Sequence, residues 1–293
     1  MLKYCLVIMP TTYAHWRFGV DCIETLPQEL KKIILENREL FDFGVHGPDV
    51  FFYDLRHPEL PAYGHHMHQE SARTFFDKAV EVYKQYDEDK DAMLSYMLGF
   101  LSHFALDSQC HAYINSKDLS SDILTHNKVE SEYDGHLIRM DGRSIARTDR
   151  AASLKPSKTN AAIMARFFPY SPKEMLRTSK GQKMLLTLLN CKSDLKRNGA
   201  TAVFNKLGMR DYRDLIVQKE EMQLCKDSNL RIDKLKAYAL EVYPDLAKQL
   251  MAAIEKGEEL GPYFDLNFDP QPDERTPVLS YEEELEFIPV KFS

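Results

Sequence analysis

The 293-residue chain has no apolar run approaching 18 residues, which excludes a conventional transmembrane helix. It also lacks paired cysteines. The five cysteines, at 5, 22, 110, 191 and 225, are widely spaced and include no Cys-x-x-Cys. A disulfide framework is therefore not expected, and a reducing compartment is. The opening MLKYCLVIMPTTYA has one lysine and a short apolar run, Cys5 to Met9, cut off by Pro10. No secretory signal is read there, so the expected location is the cytoplasm. No stretch combines alternating polarity with hairpin turn chemistry, and there is no internal repeat. Histidine is missing from the last 157 residues: all ten, at 15, 46, 57, 65, 66, 68, 103, 111, 126 and 136, come before. Scattered surface histidines would not segregate so completely, which directs the search for chemistry to the first half.

Hydrophobic residues make up 44% of the chain and charged residues 28%, the balance of a globular protein. The net charge of -7 divides into about -10 over residues 1–136, +9 over 137–263 and -6 over 264–293. Either the first two segments pack together and neutralise each other, or the middle one offers a positive surface to phosphates. The periodic signals are helical almost throughout, so the expected class is all-α. Helices are expected over Val20–Leu35 with a break at Pro27, Ser71–Tyr86, Asp91–His111 with Asp91 as N-cap, and Asn127–Leu137. More follow over Thr159–Phe168, from Ser171 to Leu189, Ser193–Leu207, Tyr212–Cys225, and Arg231–Glu255 with a turn near Pro244. Residues 41–68, with their glycines and prolines, read as a loop. One multi-helix domain is expected over 1–261, followed by an acidic, proline-containing tail over 262–293 that wraps the surface or moves.

The stretch that carries chemistry is Gly99-Phe-Leu-Ser-His103-Phe-Ala-Leu-Asp107-Ser-Gln-Cys-His111. Four helical residues advance about 400°, so His103, Asp107 and His111 fall within an arc of about 80° on one face. Asp107, in the middle, can offer one oxygen to each side, as a carboxylate does between two metal ions about 3.5–4 Å apart. His126 and Glu130 form a second i, i+4 pair. Upstream stand His15 in Tyr13-Ala-His15-Trp16, Asp49 in His46-Gly-Pro-Asp49, and the cluster His65, His66 and His68. Burying such groups on a nearly apolar helix costs several kcal/mol per charge unless something compensates. A metal cluster compensates economically, and nitrogen and oxygen donors without cysteine suit zinc. Cys110 reads as a small buried residue, not a ligand.

The order AHW…HGPD…MH…HxxxDxxxH…HxxxE resembles the bacterial zinc-dependent phospholipase C family. The single-strand-specific zinc nucleases are similar in site and fold. The motifs cover about residues 10–140. The resemblance implies an all-α domain with two or three Zn2+ ions in a cleft. It implies that Asp49, His68, His103 and Asp107 hold a first zinc, that His111, His126 and Glu130 hold a second, and that His15 and Asp107 hold a third. Secreted members complete the third site with a processed N-terminal amine. Here the Met1 amine could serve; otherwise that ion is weakly held or absent. The choice of His68 over His65 or His66 rests on the Met67-His68 pair.

The activity implied is phosphodiester hydrolysis of the phospholipase C kind, with metal-activated water attacking phosphorus. Asp49 either orients and deprotonates that water or only ligates zinc. Phe51, Phe52 and Tyr53 either line the pocket mouth, where aromatic faces hold a quaternary ammonium group or a base, or belong to the core. The alternatives are a nuclease or nucleotidase, with nucleic acid the less favoured substrate, and a zinc-binding protein without turnover. The sequence does not indicate an oligomeric state.

Overall fold

A computed structural model describes residues 12–54 and 56–292. Among these residues there is no strand, and β-type pairing is limited to one antiparallel bridge between Ser71 and Asn267. Thirteen α-helices form in it. The first three are α1 (Thr12–Thr25), α2 (Gln28–Glu36) and α3 (Arg38–Gly44), and a 3-10 segment follows over Gly47–Tyr53. Next come α4 (Glu59–Gln69), α5 (Ala72–Gln85), α6 (Lys90–Leu119), α7 (His126–Met140), α8 (Lys158–Ala165) and α9 (Pro172–Leu189). The last four are α10 (Asp194–Lys206), α11 (Arg210–Asp214), α12 (Lys226–Lys256) and α13 (Tyr281–Glu286).

Helix α6 is the axis of the molecule. Its 30 residues span about 45 Å, and from Ala92 to Ile114 every side chain is buried. A helix apolar on all sides must be surrounded, and α1, α2, α3, α5, α7, α8 and α12 all pack on it. Its N-cap is Asp89, not Asp91, and Asp91 sits in the first turn, where a negative charge suits the helix dipole. Helix α3 crosses α6 at Gly44 and Gly99. A Cβ on Gly99 would run into the Phe41 carbonyl and come within 3.0 Å of the Gly44 Cα, so this crossing needs glycine on both sides. The close approach sets residues 45–49 directly against His103.

Several expectations change. Residues 41–68 are mostly helical, not a loop. Pro58 and Pro61 fall at the cap and in the first turn of α4, where a backbone N–H has no intrahelical partner to lose. Between Tyr212 and Cys225 only short helical turns form. Buried side chains take the backbone there: Arg150 donates to the Leu215 carbonyl, Arg197 to that of Val217, and the Met222 N–H donates to Glu132. Helix α12 runs through Pro244 without a turn, because its apolar stripe Leu235, Ala239, Tyr243, Leu246 and Leu250 stays buried on both sides of it. Ser171 caps α9, with Pro172 in the first turn and Glu174 closing a capping box. Cys22, Cys110, Cys191 and Cys225 are free and buried; Cys5 lies outside the described residues. No described helix is long and apolar enough to cross a membrane.

The opposed charges of the two halves meet in ion pairs. Arg150 reaches Asp134, Arg177 reaches Asp54, Arg166 reaches Asp89 and Asp227 meets Lys117. The segment after Pro262 is fastened down. Phe264 and Phe268 are buried, and Gln109 exchanges two hydrogen bonds with the Phe292 backbone. Glu284 accepts from Arg231 at 2.7 and 2.9 Å, with both side chains fully buried. Removing one partner of such a pair leaves an uncompensated charge, so Glu284→Ala should lower unfolding free energy by about 3–5 kcal/mol. Urea denaturation measures this, and a loss below about 1 kcal/mol would show that the pair does not anchor the segment.

Candidate metal centre

Asp107 lies at the centre of the buried face of α6. Its Oδ2 is 2.8 Å from His103 Nε2, and its Oδ1 is 3.3 Å from both His15 Nε2 and His111 Nε2. The helical period alone places His103 and His111 on either side of it. His15 arrives from α1, its ring stacked on that of His103 with centroids 4.3 Å apart. Helix α7 presents His126 and Glu130, 3.3 Å apart, and Glu130 Oε1 is also 3.4 Å from His111. Asp49 enters from the 3-10 segment and meets His68 of α4 at 3.1 Å.

Three groups of donors therefore gather, each within reach of one ion: Asp49, His68 and His103; His15, His103 and Asp107; His111, His126 and Glu130. All eight residues proposed from the sequence are brought together, and His103 belongs to two of the groups. His68, not His65 or His66, reaches Asp49. His65 packs on Phe52, and His66 is exposed beside Glu70. The Met1 amine lies outside the described residues. His46 is buried, with its Nε2 free of any hydrogen bond, and is not a member of the three groups.

The backbone prepares the site. Gly47 has φ +45°, and a Cβ there would overlap the His103 ring, so His46-Gly47-Pro48-Asp49 needs its glycine to lie against α6. His68 Nδ1 donates to the Gly64 carbonyl at 2.7 Å and His103 Nδ1 to that of Val45 at 3.3 Å. A carbonyl only accepts, so both rings carry the proton on Nδ1 and leave Nε2 free as a donor to metal. Asp134, one turn beyond Glu130, accepts from the Tyr13 and Ala14 N–H groups and pairs with Arg150, which fixes the start of α1 next to His15.

Buried imidazole nitrogens face carboxylates throughout, and a small cavity of about 20 Å³ borders His15, Asp107, His111 and Glu130. His126 Nε2 is buried with no hydrogen bond, although it is aimed at Glu130. An N/O donor set with orphaned imidazole nitrogens fits zinc. The electrostatics agree. Burial pushes the His15 imidazolium down, but Asp107, Asp49 and Glu130 outweigh it and raise its pKa to about 9. Burial opposes His126 likewise, and Glu130 lifts it to about 9. Against burial, His126 and His111 hold Glu130 down at about 2, and His103, His111 and His15 hold Asp107 well below the usual carboxylate range.

Residues 14–181 match the family model for zinc-dependent phospholipase C. The chain belongs to that family. No curated protein and no solved structure matches it. In this zinc-dependent phospholipase C family member, all eight candidate ligands fall inside the matched stretch, and the segment after α9 falls outside it.

The sequence left Phe51 and Phe52 open between a pocket mouth and the core, and both are fully buried, as core residues are. Phe51 packs edge-on to Tyr63 and Phe168, and Phe52 stacks on His68, so they are walls behind the ligands. Tyr53 is also buried. Three contributors went unread. Asn115 extends the i+4 series His103, Asp107, His111 by one more turn, a signal present in the sequence, and its Oδ1 is 2.8 Å from His126 Nδ1. Phe268 lies against His68 and His103 and Asp269 beside His111, with no local pattern to announce either.

Because His15 and His126 hold protons up to about pH 9, zinc must displace them. Affinity should rise about tenfold per pH unit for each displaced proton between pH 7 and 9, then level off. Competition with a chelator at pH 7, 8 and 9 measures this; a flat profile would show that the imidazoles are already neutral.

Proposed function

We propose that this chain is a zinc-dependent phosphodiester hydrolase of the phospholipase C kind, acting on a phospholipid or a related phosphodiester. The observation that carries the reading is the continuity of the three donor groups through His103 and the Asp107 carboxylate. Groups this close suit ions that act together on one phosphate. Up to three dications against Asp49, Asp107 and Glu130 would leave about +3 at the centre, which attracts a phosphodiester despite the chain's net -7. Two dications would leave about +1.

In this reading Asp49, His68 and His103 form the first site, His111, His126 and Glu130 the second, and His15 with Asp107 the third. Bound there, zinc supplies Lewis-acid charge for the phosphoryl oxygens and the attacking water. The chain's own groups do the rest. Asp49, held by His68 and by its N–H to the His46 carbonyl, orients the water and takes its proton. The new oxygen–phosphorus bond forms opposite the ester oxygen as its own bond to phosphorus breaks; that oxygen leaves as an alcohol on taking a proton from water, and Asp49 returns its proton to water. The buried aromatic wall of Phe52 and Phe268 keeps bulk water from the ligands and so strengthens each charge interaction.

The test is hydrolysis by the zinc-loaded chain of phosphatidylcholine, single-stranded DNA and a chromogenic phosphodiester. Cleavage of phosphatidylcholine to a phosphorylated headgroup and diacylglycerol is expected. Asp107→Asn should lose about a hundredfold or more, since even outer partners of a metal site cost 10–100-fold. Preference for DNA would make the chain a nuclease, and zinc binding without turnover on any of the three would make it a binding protein.

A further inference from the structure

The acidic segment after Pro262 lies beyond the family match, yet it reaches the second donor group. Asp269 Oδ1 accepts from Asn115 Nδ2 at 2.7 Å, and Asn115 Oδ1 faces His126 Nδ1 at 2.8 Å. The same Asp269 oxygen is 3.7 Å from His111 Nδ1, which is buried and has no hydrogen bond. The Asp269 backbone N–H donates to the His68 carbonyl at 3.0 Å, which fixes the carboxylate relative to the first group as well.

The chemistry of these contacts has one consistent direction. A carboxylate only accepts, so it holds the Asn115 amide with NH₂ toward itself and the carbonyl toward His126. That carbonyl in turn requires His126 Nδ1 to be the donor, so Nε2, which faces Glu130, is the nitrogen left for an ion once its proton is displaced. For His111, Asp269 is the facing acceptor, and a slight closing of 3.7 Å makes the same bond. Imidazoles that ligate metal are commonly fixed through their other nitrogen in this way, and a carboxylate partner also makes the ring a stronger donor.

We infer that Asp269 is a positioning residue for the second metal site, setting His126 through Asn115 and His111 directly, so that the C-terminal segment is a working part of the centre. The inference rests on the ligand grouping proposed above. It concerns the order in which ions are held, not whether they are held.

The experiment titrates the zinc-loaded full chain with a chelator and counts ions retained, for wild type, Asp269→Ala, Asp269→Asn and Asp265→Ala. Asp265 sits in the same segment and pairs with Arg73 at the surface, away from every ligand. Asp269→Ala should weaken one ion about 10–100-fold and leave the others unchanged, Asp269→Asn should restore part of that loss because its amide oxygen still accepts from Asn115, and Asp265→Ala should match wild type. With cobalt in place of zinc, one ion's visible absorption should change in Asp269→Ala alone. Equal retention in Asp269→Ala and wild type would overturn the inference, as would a uniform weakening of all ions shared with Asp265→Ala, which marks a fastening role only. If Asp269→Ala fails to fold, Asp269→Asn decides by the same selective loss of one ion or its absence. A wild-type chain that takes up no zinc would overturn the grouping itself, and this inference with it.

Discussion

A carboxylate buried in the middle of an apolar helix is the constraint on which this structure turns. Asp107 is 1% exposed, with Phe104, Ala105 and Leu106 before it and Ser108, Gln109 and Cys110 after it, all buried. Taking one such ion out of water costs several kcal/mol. His15, His103 and His111 all lie within 3.3 Å of it, and each is itself buried. The cost therefore spreads, and it is offset only when positive charge enters the cluster as protons or as cations. The raised pKa values of His15 and His126 are in the direction of the proton solution, and the three donor groups could host the cationic one. Much of the fold follows from delivering partners to this point: α1 brings His15, the glycine crossing of α3 brings residues 45–49, α4 brings His68, and α7 brings His126 and Glu130.

What the sequence revealed of this centre followed from how local each signal was. His103, Asp107 and His111 share a helical face by the helical period alone, and His126 with Glu130 repeats the argument. Asn115 and Asp134 continue the same two series one turn further, yet an amide and an extra carboxylate were not recognised as parts of a metal site. Proline misled in two opposite ways. Pro58 and Pro61 suggested a loop where they open α4, and Pro244 suggested a turn where packing carries α12 through. Phe51 and Phe52 could face a substrate or the core by sequence alone, and only tertiary packing turns them inward. Asp269 could not be read at all, because it meets Asn115 across 154 residues.

The separation of charge along the chain has a structural counterpart. The acidic first half carries every candidate ligand, and the basic middle segment supplies Arg150 to Asp134 and Arg177 to Asp54, both buried carboxylates. These pairs offset two acids that are not candidate ligands, which leaves Asp269 beside His111 as the further carboxylate a cation in the cluster would meet. Such pairing matters more in a low-dielectric interior than at a surface.

The sharing of groups also decides how the ions relate to one another. Three independent sites would need separate donors, whereas His103 serves two groups and Asp107 touches ligands of all three. Asp107 turns Oδ1 toward His15 and His111 and Oδ2 toward His103, so it could offer an oxygen to each of two neighbouring cations. Cations bound in neighbouring groups would repel, and a carboxylate between them would offset that repulsion. The rigidity of α6 then becomes a chemical requirement. A rotation of one helical turn's side chains would move both oxygens together and spoil two groups for one displacement. Burial on every side of α6 prevents that rotation, so the packing that makes the ions costly to host also holds their ligands in register.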